Sequence, residues 1–533
     1  MILRFFFIIS IILFLAACNN TKNNWVNNII LSEKNILAAS SINLKSLLEK
    51  SDLENSDKLS YEKKIIFDAF KSSFNSQYLG FDINSSQKLF IVSQENNFNA
   101  AAFLAGDIID ESSFKETLKN FLAIDSFDLE NPSVCFSEKY NLTVGFNSAN
   151  FLIGFSFDKN FTKEKIISYF QSKSRINQGV VLNNFLKLNN DFGLYISSVN
   201  IVNFINDIKT PFLKSQLINN LNLDLLTDEF IFNMNFLEQK IACNTSLFSN
   251  IFIQKPVDVK FNNFMIQNDS LMSFGFANIQ LNKIGSFFTQ LNKYKTGFQD
   301  DVLFSNFKEV IPALDGSVAF SINNPLNHSS DQDPSYLLDS FSQNLTNVRE
   351  KNTKINSDDS WEDDDFFKDE VITPKFYNST QFLLSLGVNE KENLVNVFNQ
   401  NNFKLLDSKV ITSKTYSYLL KNKVFHVTNN FEWLEKLNSN IYPADSNLIN
   451  EKYLQNSLYT FFNIEAISKS YYGENPSTID YQNDEIVNIF SKILLNSNNK
   501  TLNIDFFLKE KNKNALKAFL EAIIENKIVE DYL

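Results

Sequence analysis

Along this chain, short apolar stretches with strand-like alternation break at a polar residue and then switch to a helical period. Residues Ile36 to Ile42 read as a strand, Asn43 as the break, and LKSLLEK as a helix with Leu44, Leu47 and Leu48 on one face. The same order is seen in FGLYISSVN-IVNFIND around Asn200, LMSFGFAN-IQLNKIGSFF around Asn278 and LYTFFN-IEAISKS around Asn463. Asparagine suits the break because its side chain can cap the first free amides of the helix that follows. A second unit, AAFLAGDIIDESSFKETLKNFL, predicts a capping box at Ser113 and Glu116 and a helix with Phe114, Leu118, Phe121 and Leu122 on one face. QFLLSLGVNEKENLVNVF reads the same way, with Asn389 and Glu392 in the box positions.

These units recur in one order, and their offsets carry information. Asn43 to Asn278 is 235 residues, Asp107 to Asn389 is 282 and Asn200 to Asn463 is 263. The jump between the first two offsets matches an insertion over 325–374. The expectation is an α+β protein of two tandem related halves, 33–255 and 256–533, each an antiparallel sheet with helices packed on one face. The competing reading is that any α+β chain yields strand-then-helix units.

The N-terminus carries a different pattern. Arg4 precedes an apolar run from Phe5 to Leu15, followed by Ala16, Ala17 and Cys18. That run is too short to span a bilayer and has the layout of a secretory signal peptide, 1–17. Leu15-Ala16-Ala17-Cys18 looks like a lipobox, which predicts acylation of Cys18. Each buried methylene of an acyl chain contributes about 0.8 kcal/mol, so two or three chains anchor firmly. A polar tether over 18–32 would follow; its first ten residues after Cys18 reach at most roughly 35 Å. Asn19, rather than Asp, resembles the sorting signal for the outer membrane, and the tether lacks an acidic export-like run. The expected place is the periplasmic face of the outer membrane, with the cell surface as the alternative.

Composition narrows the chemistry. The net charge is −12, and after Arg4 only Arg175 and Arg349 remain, which argues against nucleic acid and against arginine clusters for phosphate. Hydrophobic residues at 44% and charged residues at 21% indicate a folded chain, and 55 phenylalanines read as core filling. The sequence has no GxSxG, HExxH, CxxC, GxGxxG or Walker loop. The two histidines, His328 and His426, read as a loop residue and a strand residue rather than a zinc pair or a triad member. No catalytic, cofactor-binding or metal-ligating residue is assigned, and no cofactor is expected. Cys135 and Cys243 are as consistent with two buried thiols as with a disulfide. Within the insertion, SDDSWEDDDFFKDE should stay extended by self-repulsion. Trp361, Asp363, Asp364, Asp365 and Phe366 form a candidate docking loop for a basic partner groove, set against the plainer reading of a solvated linker with an incidental aromatic.

The lipobox at Cys18, AASSINLKSLLEKSDL, YLGFD at 78–82, LDGSVAFSI, PKFYNSTQFLLSLGVNEKENL and TYSYLLKNKVFHVTNN together resemble a family of Bacteroidetes lipoproteins, domain of unknown function 4836. The resemblance implies a lipid-anchored envelope protein and brings no catalytic residue. The leading functional expectation is a non-enzymatic scaffold or accessory subunit, held to the membrane by acyl chains on Cys18 and bound to an envelope protein partner. The alternatives are a carrier of an apolar ligand and, more remotely, a hydrolase using carboxylates.

Overall fold

The computed structural model describes residues 25–94, 99–127, 132–171, 179–207, 229–246, 271–280, 310–323, 381–400, 405–412, 416–439, 457–472, 489–498 and 501–525. The expected signal peptide, Cys18 and the expected insertion lie outside these residues.

Among the described residues, eighteen strands form one sheet. The first nine are β1 (Ile36–Ile42), β2 (Gln87–Ser93), β3 (Ala100–Asp107), β4 (Ser133–Ser137), β5 (Leu142–Phe146), β6 (Asn150–Ser156), β7 (Phe192–Ser197), β8 (Glu229–Leu237) and β9 (Lys240–Thr245). The second nine are β10 (Leu271–Asn278), β11 (Leu314–Asn323), β12 (Gln381–Val388), β13 (Ile411–Thr412), β14 (Ser417–Lys421), β15 (Val424–Thr428), β16 (Leu458–Asn463), β17 (Phe490–Asn498) and β18 (Thr501–Leu508). Every pairing is antiparallel. In the first set the spatial order is β4-β5-β6-β3-β2-β1-β7-β8-β9. In the second it is β13-β14-β15-β12-β11-β10-β16-β17-β18, the same order with each number raised by nine. The two sets meet where β9 pairs with β18.

Twelve α-helices accompany the strands among the described residues. They are α1 (Trp25–Ser32), α2 (Leu44–Ser51), α3 (Tyr61–Ser73), α4 (Ser76–Leu79), α5 (Glu111–Leu122), α6 (Lys159–Gln171), α7 (Val180–Leu186), α8 (Ser198–Asn206), α9 (Lys391–Gln400), α10 (Phe431–Asn438), α11 (Ile464–Tyr472) and α12 (Ala515–Glu525). None of them is long and apolar enough to cross a membrane.

Helices cover both faces of each set of strands, not one face as the sequence pattern suggested. On β3, Phe103 and Ala105 join a core with Phe161, Ile166 and Tyr169 of α6 and with Ile29 and Ile30 of α1. The intervening Leu104 points the other way, into a core with Phe114, Leu118 and Leu122 of α5. The second set repeats this, with Leu386 and Val388 against Leu394 and Phe398 of α9, and Leu383 and Leu419 against Trp433 and Leu434 of α10. The physical reason is apolar residues at consecutive strand positions, which need cover on both sides. Each large side chain so buried contributes roughly 1.5–3 kcal/mol.

Other corrections are local. Residues 25–32 are not tether but helix α1, whose Val26, Ile29, Ile30 and Leu31 are buried and whose Trp25 ring lies 4.8 Å from Phe170. Four apolar residues in one short segment outweigh its asparagines. Asn43 caps α2 through Ser46 N at 3.0 Å, and Asn463 accepts from Ala466 N at 3.2 Å, as the breaks predicted. Around Asn200 the cap is Ser197 instead, accepting from the Asn200 amide at 3.3 Å. Asn200 itself donates Nδ2 to Ile36 O at 2.8 Å and ties α8 to the start of β1. Likewise α5 is capped by Asp110, which accepts from Ser113 N at 2.6 Å, one turn before the expected box. A carboxylate at that point also matches the positive helix end. On α5, Phe114, Leu118 and Leu122 are buried, but Phe121 is 55% exposed.

The YLGFD segment shows why a glycine stands there. Gly80 ends α4 at φ +74, and a Cβ would lie 2.0 Å from the Phe114 amide nitrogen. Only glycine allows both the left-handed backbone and that approach.

Candidate functional site

Residues that are Cα partners on neighbouring strands share a face, so register alone assembles a row of side chains across the sheet. One such row gathers polar groups from both sets of strands. Starting on β2 it runs Lys88, Ser41 on β1, Gly193 on β7 and Asn233 on β8. It continues through Asn244 on β9, Asn503 on β18, Asn496 on β17 and Tyr459 on β16. Four consecutive strands thus place an asparagine at the same level, about 4.8 Å apart.

The amides bond to one another. Asn244 Nδ2 donates to Asn503 Oδ1 at 2.6 Å, and Asn503 Nδ2 donates to Asn496 Oδ1 at 3.0 Å. Beside them, Asn235 Nδ2 donates to Asn190 Oδ1 at 3.1 Å, and Asn190 Nδ2 donates to Asn233 Oδ1 at 2.8 Å. Asn233 is buried, while Asn244, Asn503 and Asn496 are half-buried. The ladder is symmetric about the β9–β18 pairing: Asn244 matches Asn503, and Asn233 matches Asn496.

One ion pair lies next to the ladder. Lys240 Nζ lies 3.0 Å from Asp505 Oδ1 on the same face. The ring of Phe507, two residues further along β18, has Lys492 Nζ at 4.7 Å and Lys240 Nζ at 5.5 Å from its centroid. On the opposite face the same strands are sealed by α12, through Phe236, Ile241 and Cys243 with Ala515, Leu516 and Ala518. At one border of the ladder, Phe185 of α7 lies over Gly193, where a Cβ would come within 3.0 Å of its ring.

Lys88 is the outlying member. It is 5% exposed and donates to Ser41 Oγ at 2.6 Å. Burial pushes its ammonium down to about 8. A buried carboxylate is handled differently: Asp191 accepts from Lys50 Nζ at 2.6 Å, Ser46 Oγ at 2.6 Å and Phe236 N at 2.6 Å, which locks α2 against β8.

His426 faces Ser385 across β12 and β15, with Nδ1 2.8 Å from Ser385 Oγ. Burial, and then the charge of Lys421, lowers the imidazole to about 4, so it is neutral at pH 7. This is a hydrogen-bonded strand residue, in agreement with its sequence context. Cys135 and Cys243 are buried thiols outside any disulfide, in separate cores. Burial, and then Asp505, raises the Cys243 thiol to about 11, so it is a poor nucleophile. Among the described residues, no group of three or more His, Cys, Asp or Glu is placed to hold a metal ion.

Of the residues singled out from sequence, Cys18, Trp361, Asp363, Asp364, Asp365 and Phe366 lie outside the described residues. Sequence reasoning missed the asparagine row. The signal present was NMN at 233–235 and single asparagines at alternate positions of three later strands, but only register shows that they align.

No known family profile and no curated protein matches the chain. Among solved structures, crystal form III of TP0453 is 10% identical, covers 41% of this chain and 78% of its own, and has a TM-score of 0.24. Crystal form IV of TP0453 is 10% identical, covers 42% and 83% respectively, and has a TM-score of 0.25. At those values the likeness carries no argument about function.

Proposed function

We propose that the protein is a lipid-anchored scaffold of the outer membrane, held through acylated Cys18, whose two tandem related halves form one binding platform for an envelope partner. The observation that carries this reading is the strand order, β4-β5-β6-β3-β2-β1-β7-β8-β9, repeated by the second nine strands and fused through β9–β18. The repetition extends to the helices: α5 and α9 follow the third strand of each set, α6 and α10 the sixth, α8 and α11 the seventh. Duplication followed by fusion of two edges is the simplest origin for such an order. A long sheet covered by helices on both faces is rigid, which suits presentation of surfaces more than a reaction cycle.

Labelling cells with a palmitate analogue tests the anchor, with incorporation expected for the native chain and none for Cys18→Ser. Crosslinking in intact cells followed by purification tests the partner. A stoichiometric envelope protein is expected, and its consistent absence overturns the scaffold reading even where the acyl label is found.

A further inference from the structure

We propose that the asparagine row at the junction of the two halves is a binding site for an uncharged, linear glycan. This site is independent of the anchor and of any protein partner.

The ligand class follows from what the site offers. Each carboxamide has two donor hydrogens and an acceptor oxygen with two lone pairs. The bonds Asn244 to Asn503 and Asn503 to Asn496 use only part of that capacity. What remains is an array of mixed donors and acceptors, which complements hydroxyl groups, themselves donors and acceptors at once. The array repeats at the strand spacing of about 4.8 Å, close to the length of one sugar ring, so successive rings of a linear chain meet successive asparagines.

Charge and strand pairing point the same way. Lys240 pairs with Asp505, the charge nearest the row, so an ionic ligand gains no net field from that pair. An extended peptide would need free main-chain groups at a sheet edge. Strands β8, β9, β18 and β17 are interior, and their main chains are already paired on both sides. Side-chain amides are what these strands have left to offer.

The test uses the purified full chain in detergent, applied to an array of linear neutral glycans (glucans, galactans, mannans and chitin oligomers) together with sulfated and sialylated glycans and extended peptides. Binding to at least one neutral series is expected, and titration calorimetry with the best hexasaccharide gives its affinity. Asn496→Asp keeps the side-chain shape and removes its donors; it should weaken binding by at least about tenfold. Asn496→Ala, which removes the amide whole, should weaken it as well, and Asn160→Asp, exposed near the start of α6, should not. Circular dichroism and melting temperature show whether each variant is folded, and Asn496→Ala, which brings no new charge, carries the test if Asn496→Asp is not. Absence of binding to every neutral glycan at millimolar concentration overturns the proposal. So does a preference for charged glycans or peptides, or a neutral-glycan affinity that the folded variants leave unchanged.

Discussion

Asn244 and Asn503, 259 residues apart in sequence, face each other across the one strand pairing that joins the two sets, with Nδ2 of Asn244 2.6 Å from Oδ1 of Asn503. The pair lies at the symmetric centre of the strand order, so it reports directly on how firmly the two sets of strands are joined. Replacing either residue with alanine should cost about 1 kcal/mol in urea unfolding. Because the two amides share one bond, the double variant should cost less than the sum, with a coupling of about 0.5 kcal/mol or more. Strict additivity would show that the bond contributes nothing to the junction.

Lys88 sets a pH dependence on the alkaline side. Its folded value of about 8 lies below the ordinary 10.5, so between those values the unfolded chain binds more protons and stability rises with pH. At pH 7 the charged amine is a burden of up to about 3 kcal/mol. Lys88→Met should therefore stabilise the protein at pH 7, and its advantage should shrink from pH 8 to 10.5. Chemical denaturation of both proteins at pH 7, 9 and 10.5 measures this. An advantage that does not change with pH contradicts the assignment.

His426 acts on the acid side. Its folded value is lowered from 6.5 to about 4, so the unfolded chain takes up a proton first as the pH falls through 6.5. Its contribution is intact above pH 6.5 and is lost progressively down to pH 4, by up to about 3 kcal/mol. Substituting His426→Gln should flatten that part of the stability curve, and the difference between the two proteins at pH 7 and pH 4.5 isolates the effect from the many carboxylates.

The C-terminal helix α12 takes part in two ion contacts of unequal worth, one within its own segment and one to the N-terminal segment. Lys513 meets Glu521, whose side chain is 1% exposed and also accepts from Ser56 Oγ. Lys517 lies 2.8 Å from Asp52, which is 40% exposed. Removing Lys513 strands a buried carboxylate, so Lys513→Ala should cost about 3 kcal/mol. Lys517→Ala should cost less than about 1 kcal/mol because water screens that pair. Thermal melts of both variants decide it, and equal losses would contradict the burial argument.

Local features of the chain were legible wherever a single element's own chemistry decides them. The strand periods and the caps at Asn43 and Asn463 follow from neighbours a few residues away. Misplaced features share a cause. Asn200 and Ser113 are good caps one turn too late, and the true caps, Ser197 and Asp110, depend on where the strand before them ends. Helix α1 looked polar in isolation because its four apolar residues gain only from α6 and the sheet.

Composition and local periodicity by themselves determined an α+β chain of antiparallel strands and following helices, because each element's apolar stripe is written within it. Tertiary structure alone decided that apolar residues on both faces of β3 and β12 recruit helices to both sides. It alone brought the pair Asn233 and Asn244 into line with Asn503 and Asn496, since the β9–β18 register joins segments 259 residues apart, and a shift of one residue there would turn one pair of amides to the other face.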